Sequence, residues 1–156
     1  MEIPCPAFKI HRIRGLLMTS KPVDPRKEKI VRLLTYITAN KLEYPDSLAV
    51  APLTSIVKVY NGCGPEFLAS RYRALLTKFY SIFEPAFLVH DWDYETLPST
   101  VEHFRIANRR MYVNMLTIAN SQSPWFRWFW KVEARRLYDI CSRFGWASFY
   151  NKRGRL

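Results

Sequence analysis

The residues able to do chemistry are concentrated in Phe87-Leu88-Val89-His90-Asp91-Trp92-Asp93-Tyr94, which sets a histidine, two carboxylates and a tyrosine on one apolar segment. On a helix, His90 and Tyr94 stand four residues apart on one face, with Phe87 beside them. Asp91 then projects about 100° around the helix from His90. A neutral imidazole can take a proton from water, and a carboxylate next to it is a hard ligand for a cation. Standing alone, the segment reads more simply as a core histidine satisfied by a hydrogen bond. It is accompanied upstream by a glycine-rich turn, Tyr60-Asn61-Gly62-Cys63-Gly64-Pro65.

The elements that must position these groups read as helices. Residues 1–24 form an irregular or extended lead-in. Asp24 is a helix N-cap with Pro25 at the first helical position, and Ile30, Leu33, Leu34 and Ile37 make an apolar stripe ending near Asn40. Tyr44 to Tyr60 contains Pro45 and Pro52 and closes on the β-branched run Ile56-Val57-Lys58-Val59-Tyr60, a short strand or extended arm. Glu66 to Tyr80 has helical periodicity. Pro85 opens the His90 helix, which ends near Leu97-Pro98. Ser99-Thr100-Val101-Glu102 has the form of a capping box with Ser99 as the cap. The next helix carries Val101, Phe104, Asn108, Met111, Met115 and Ile118 as its stripe. Asn108 interrupts that stripe, and a buried amide needs a partner, for which His90 is the obvious candidate. Trp125 to Phe144 is a last helix ending at Gly145. The expectation is one domain, 1–156, of the all-α class, with two antiparallel helices carrying His90 and Asn108 and further helices flanking them.

Composition narrows the function classes. The 156 residues are 49% hydrophobic and 15% aromatic, which excludes a disordered tail. There is no apolar run long enough to span a bilayer, and the first fifteen residues lack a signal-peptide core. Three widely spaced cysteines, Cys5, Cys63 and Cys141, argue against a disulfide framework or a zinc site and for a cytoplasmic setting. A formal charge of +11 calls for an anionic partner, either a lipid surface or nucleic acid.

Taken in order, these motifs resemble a known family. Tyr60-x-Gly62-x-Gly64 is similar to the calcium loop of secreted phospholipases A2, and His90-Asp91-x-x-Tyr94 to their catalytic helix signature. More closely, the chain resembles small phage and bacterial phospholipase A2-like proteins with an Asn-Gly-Cys-Gly turn, a His-Asp-x-x-Tyr helix, a following helix and a basic, aromatic last segment. The matches here are Asn61 to Pro65, His90 to Glu95, Ala107 to Met115 and Arg135 to Phe149, so the resemblance covers residues 56–150.

It implies a calcium-dependent lipid ester hydrolase, phage- or prophage-encoded, located in the host cytoplasm or the phage particle with peripheral membrane contact. His90 would be the general base. Calcium would be held by Asp91 and the carbonyls of Tyr60, Gly62 and Gly64. Tyr94 would donate a hydrogen bond to the residue orienting His90. Two departures stand out. The position that carries an orienting Asp in the family is Asn108 here, and the 26 residues from Gly64 to His90 exceed the spacing of the secreted enzymes. Asp93 lies on the same helix as His90 and is badly placed to replace the missing Asp.

Two alternatives come from other classes: a phospholipase-like scaffold that has lost catalysis and binds a membrane, a phage protein or a host protein, and a basic nucleic-acid-binding module. For the latter, Arg105, Arg109, Arg110, Arg135, Arg136, Lys152, Arg153 and Arg155 are the candidate residues. No nucleic-acid motif accompanies them, and solvated helix faces are the simpler account. Trp125-Phe126-Arg127-Trp128-Phe129-Trp130-Lys131 reads either as an interfacial patch for anionic phospholipid or as a helix buried on most sides. His11 and His103 lack metal-ligand partners at useful spacing, and Cys63 reads as a small packing residue.

Overall fold

The computed structural model describes residues 24–61 and 78–151. The expectations for the lead-in, Cys5, His11, Gly62, Cys63, Gly64, the helix from Glu66 and the basic tail at Lys152, Arg153 and Arg155 lie outside these residues. The described chain is all-helical: α1 (Pro25–Ala39), α2 (Asp46–Val50), α3 (Leu53–Val59), a 3-10 turn (Ser81–Phe83), α4 (Glu84–Thr96), α5 (Val101–Asn120), α6 (Pro124–Phe144) and α7 (Trp146–Tyr150). Among the described residues no helix is long and apolar enough to cross a membrane.

α4 is the axis of the fold. Nine of its thirteen residues are buried, including Phe87, Leu88, Val89 and Trp92. A helix buried nearly all round carries its apolar residues consecutively and not at helical spacing, as in Pro85-Ala86-Phe87-Leu88-Val89, and its buried polar groups must find partners. α5 packs along it, reversed by the short link 97–100, and buries Phe104, Ala107, Met111, Met115 and Ile118. α6 covers α5 and is mostly exposed, burying only Glu133, Ala134 and Leu137. α1 and α3 close the other side of α4 through Ile30, Leu34, Ile37, Ile56 and Val59.

Polar ties fix the register between elements. Asn114 on α5 clamps the backbone of Glu43 in the α1–α2 link, accepting from its N–H at 2.7 Å and donating to its carbonyl at 2.8 Å. Lys29 reaches Glu84 at 2.8 Å, and Trp92 donates to Ser47 at 3.1 Å. Glu133, buried on α6, accepts from Tyr80 at 2.8 Å and from Arg136 at 2.7 Å.

Three sequence expectations are corrected. Ile56 to Tyr60 is not a strand. Pro52 starts α3, and Ile56 and Val59 fall three apart on its buried face, so tertiary packing overrides the β-branched propensity. The cap of α5 is Thr100, not Ser99: its hydroxyl accepts from the His103 amide, and Glu102 therefore sits one residue too early to close a capping box. α6 is not buried on most sides; Trp125, Phe126 and Trp128 are exposed, while Phe129 and Trp130 are half-buried. The cap at Asp24 and the ends of α1, α4 and α6 fall where the sequence puts them.

Candidate active site

The facing turns of α4 and α5 bring His90, Tyr94 and Asn108 together. His90 Nε2 lies 2.9 Å from Asn108 Oδ1, and the Tyr94 hydroxyl donates to that same oxygen at 2.9 Å. The Tyr94 ring packs against the imidazole with centroids 4.0 Å apart. Asn108 is 2% exposed and His90 8%. An amide oxygen only accepts, so this arrangement puts the imidazole proton on Nε2 and leaves the Nδ1 lone pair as the basic atom. Nδ1 makes no hydrogen bond among the described residues. The second half of the Asn108 amide, Nδ2, is buried without a hydrogen-bond partner.

Burial governs the protonation of the cluster. It lowers the His90 pKa to about 4, against the opposing hydrogen bond to Asn108, so the imidazole is neutral at physiological pH. Burial also pushes the Tyr94 phenol well above its usual range, keeping it a neutral donor. Cys141 on α6 is pushed up to about 12 by burial and then by the charge of Asp91, which leaves it a thiol with no nucleophilic character.

Asp91, on the flank of α4, accepts a hydrogen bond at Oδ2 from the backbone amide of Asn61 at 2.8 Å. The start of the glycine-rich turn therefore lies against the one carboxylate that adjoins His90. Tyr60 is the C-cap of α3, with Lys29 Nζ 5.6 Å from its ring centroid. Gly62 and Gly64 lie outside the described residues. Among the described residues no three His, Cys, Asp or Glu side chains converge as a metal site. A site of one carboxylate and several main-chain carbonyls needs no such cluster; the contact at residue 61 brings the start of the turn to Asp91 through an N–H, which is not itself a cation ligand.

Asp93 takes no part in the cluster. It is fully buried, and Arg110 Nη1 bridges both its oxygens at 2.6 Å. Burial raises its pKa to about 6 while Arg110 opposes the rise, so it is ionised at neutral pH. His103, Arg135 and Arg136 are also occupied, with Thr100, Asp139 and Glu133 respectively. The sequence reading missed three groups around Tyr94: Phe149 at 5.1 Å between ring centroids, Gly145 and Cys141. Only the aromatic spacing of Trp146, Phe149 and Tyr150 hinted at α7. Comparison with protein-family models, with curated proteins and with solved structures finds no match.

Proposed function

We propose that the chain is a calcium-dependent, phospholipase A2-like lipid ester hydrolase, phage- or prophage-encoded. The observation that carries the reading is the shared Asn108 oxygen: it takes hydrogen bonds from His90 Nε2 and Tyr94 and leaves Nδ1 as the base, with Asp91 one residue along and against the turn. The resemblance of Tyr60-x-Gly62-x-Gly64 and His90-Asp91-x-x-Tyr94 to the phospholipase motifs supports it. In this mechanism His90 Nδ1 takes a proton from water as the water oxygen bonds to the ester carbonyl carbon. The carbonyl π electrons move to oxygen, and return of the proton to the leaving alkoxide completes hydrolysis. Asn108 and Tyr94 hold the ring in the tautomer that allows this. Calcium, bound by Asp91 and the carbonyls of Tyr60, Gly62 and Gly64, would supply positive charge for the oxyanion.

The exposed rings of Trp125, Phe126 and Trp128, with Lys78 and Lys131 and no acidic residue between 124 and 132, suit an anionic phospholipid surface. The setting this reading carries is the host cytoplasm or the phage particle, with peripheral membrane contact.

A second reading has its own observation. Asn108 is neutral and its Nδ2 is unpartnered, so the cluster lacks the negative charge that would stabilise an imidazolium. On that reading the scaffold binds a membrane or a protein without catalysis. Fatty-acid release from mixed anionic and zwitterionic vesicles, with calcium or chelator, separates the two. The hydrolase predicts release that requires calcium and His90, disappears in His90→Ala and rises about 10²-fold in Asn108→Asp. Release only in Asn108→Asp identifies the binder. No release in any variant, with no calcium binding, overturns both the hydrolase and its scaffold.

A further inference from the structure

Gly145 closes α6 with φ −73° and ψ −12°, a right-handed conformation open to any residue. Its backbone therefore gives no reason for glycine. Its surroundings do: a Cβ at this position would overlap the Tyr94 hydroxyl and the Cys141 carbonyl oxygen. The same Tyr94 hydroxyl donates to Asn108 Oδ1. The space left by the missing methyl is the space in which that hydroxyl sits.

An asparagine makes this seat consequential. An aspartate presents an oxygen to His90 whichever way it turns, whereas an amide offers either an oxygen or an NH₂. In the observed orientation Oδ1 accepts from His90 and Tyr94, and Nδ2 is left buried without a partner. Turned over, Nδ2 would donate to His90 Nε2 and to the Tyr94 oxygen, and the imidazole proton would move to Nδ1. Each orientation strands polar groups, so the donor hydrogen bond from Tyr94 weighs heavily in the balance. We propose that Gly145 is a positioning residue: by leaving room for the Tyr94 hydroxyl it holds the Asn108 amide oxygen toward His90 and keeps the imidazole proton on Nε2. The consequence for base catalysis rests on the hydrolase reading; the tautomer itself does not.

The test is a long-range ¹⁵N–¹H correlation spectrum of the full chain labelled at histidine nitrogen, recorded near neutral pH, where His90 is uncharged. The wild type should show the Nε2–H tautomer at His90. Tyr94→Phe, which adds no bulk, should shift the tautomer ratio toward Nδ1–H by about twofold, less than the factor of one ordinary hydrogen bond because the turned amide also loses its bond to the hydroxyl. Gly145→Ala should give a shift of the same sign. The double variant should shift no further than Tyr94→Phe alone, since no hydroxyl then remains for the methyl to displace. An unchanged tautomer in Tyr94→Phe overturns the proposal, as do additive shifts in the double variant. If Gly145→Ala fails to fold, the Tyr94→Phe spectrum still decides. The measurement uses neither substrate nor calcium, so its outcome is independent of whether vesicles are hydrolysed.

Discussion

At the scale of the residue, His90 combines two demands that pull apart. A buried imidazole is shielded from competing water but resists charging, and a neutral amide partner does little to relieve that. Its pKa of about 4 lies below the 6.5 of the unfolded chain, so the unfolded state binds a proton between those values that the folded state does not. The contribution to stability is therefore complete above pH 6.5 and is lost as pH falls toward 4, by up to about 3 kcal/mol. Asp93 acts in the opposite sense. Raised to about 6, it favours the folded state below its unfolded value of 3.8, and that contribution is lost as pH rises through 6. Thermal unfolding of wild type against His90→Asn isolates the first effect: the difference in Tm should move against the wild type as pH drops from 6.5 to 4, because only the wild type has this imidazole to charge. In Asn108→Asp, a carboxylate beside the ring should raise the His90 pKa, seen as a shifted NMR titration in metal-free protein.

At the scale of the element, α1 ends in a Schellman motif: the Leu42 amide bonds the Ile37 carbonyl at 3.0 Å and the Lys41 amide the Thr38 carbonyl at 3.3 Å. The left-handed residue it requires is Lys41, at φ 52°. Lysine is strained there and glycine is not, so Lys41→Gly should raise stability by about 1 kcal/mol in urea unfolding. The α4–α5 pair depends on Arg110 in a different way. Removing its guanidinium leaves the fully buried Asp93 charge unpaired, so Arg110→Ala should cost about 3 kcal/mol at neutral pH. The loss should shrink in mild acid, where Asp93 protonates. An equal loss at both pH values would show that Arg110 contributes packing and not charge.

At the scale of the whole molecule, the proposed chemistry and the proposed lipid contact sit at different places. The His90 cluster meets α5 at Asn108, while the exposed rings of α6 begin beyond Asn120, some 18 Å further along the α5 axis. Trp125 is 88% and Trp128 73% exposed, an apolar surface of the kind the proposed lipid contact would use. Trp125→Ala with Trp128→Ala should weaken sedimentation with anionic vesicles at least tenfold while leaving the His90 NMR signals in place. Lys131→Glu should weaken binding to anionic vesicles about fivefold and binding to zwitterionic vesicles little. Unchanged vesicle binding in both variants would remove α6 as the lipid-contact surface.

Local chemistry determined the class of the fold and most of its punctuation. Asp24-Pro25 starts α1, Pro85 lies in the first turn of α4, and Gly145 ends α6, because caps and proline act within a few residues of themselves. The break in the α5 stripe at Asn108 was legible too, since an amide among apolar neighbours has to find a partner, and His90 is that partner. Tertiary structure decided what no local rule contains. It made a helix of Ile56 to Val59, because burial against α1 and α4 outweighs β-branched propensity. It gave Asp93 to Arg110 and left Asp91 to meet the glycine-rich turn, although the two carboxylates lie two residues apart on one helix. It also made Gly145 a matter of space and not of backbone dihedrals, because the Tyr94 hydroxyl from another helix and the Cys141 carbonyl of its own helix both crowd the place a side chain would take.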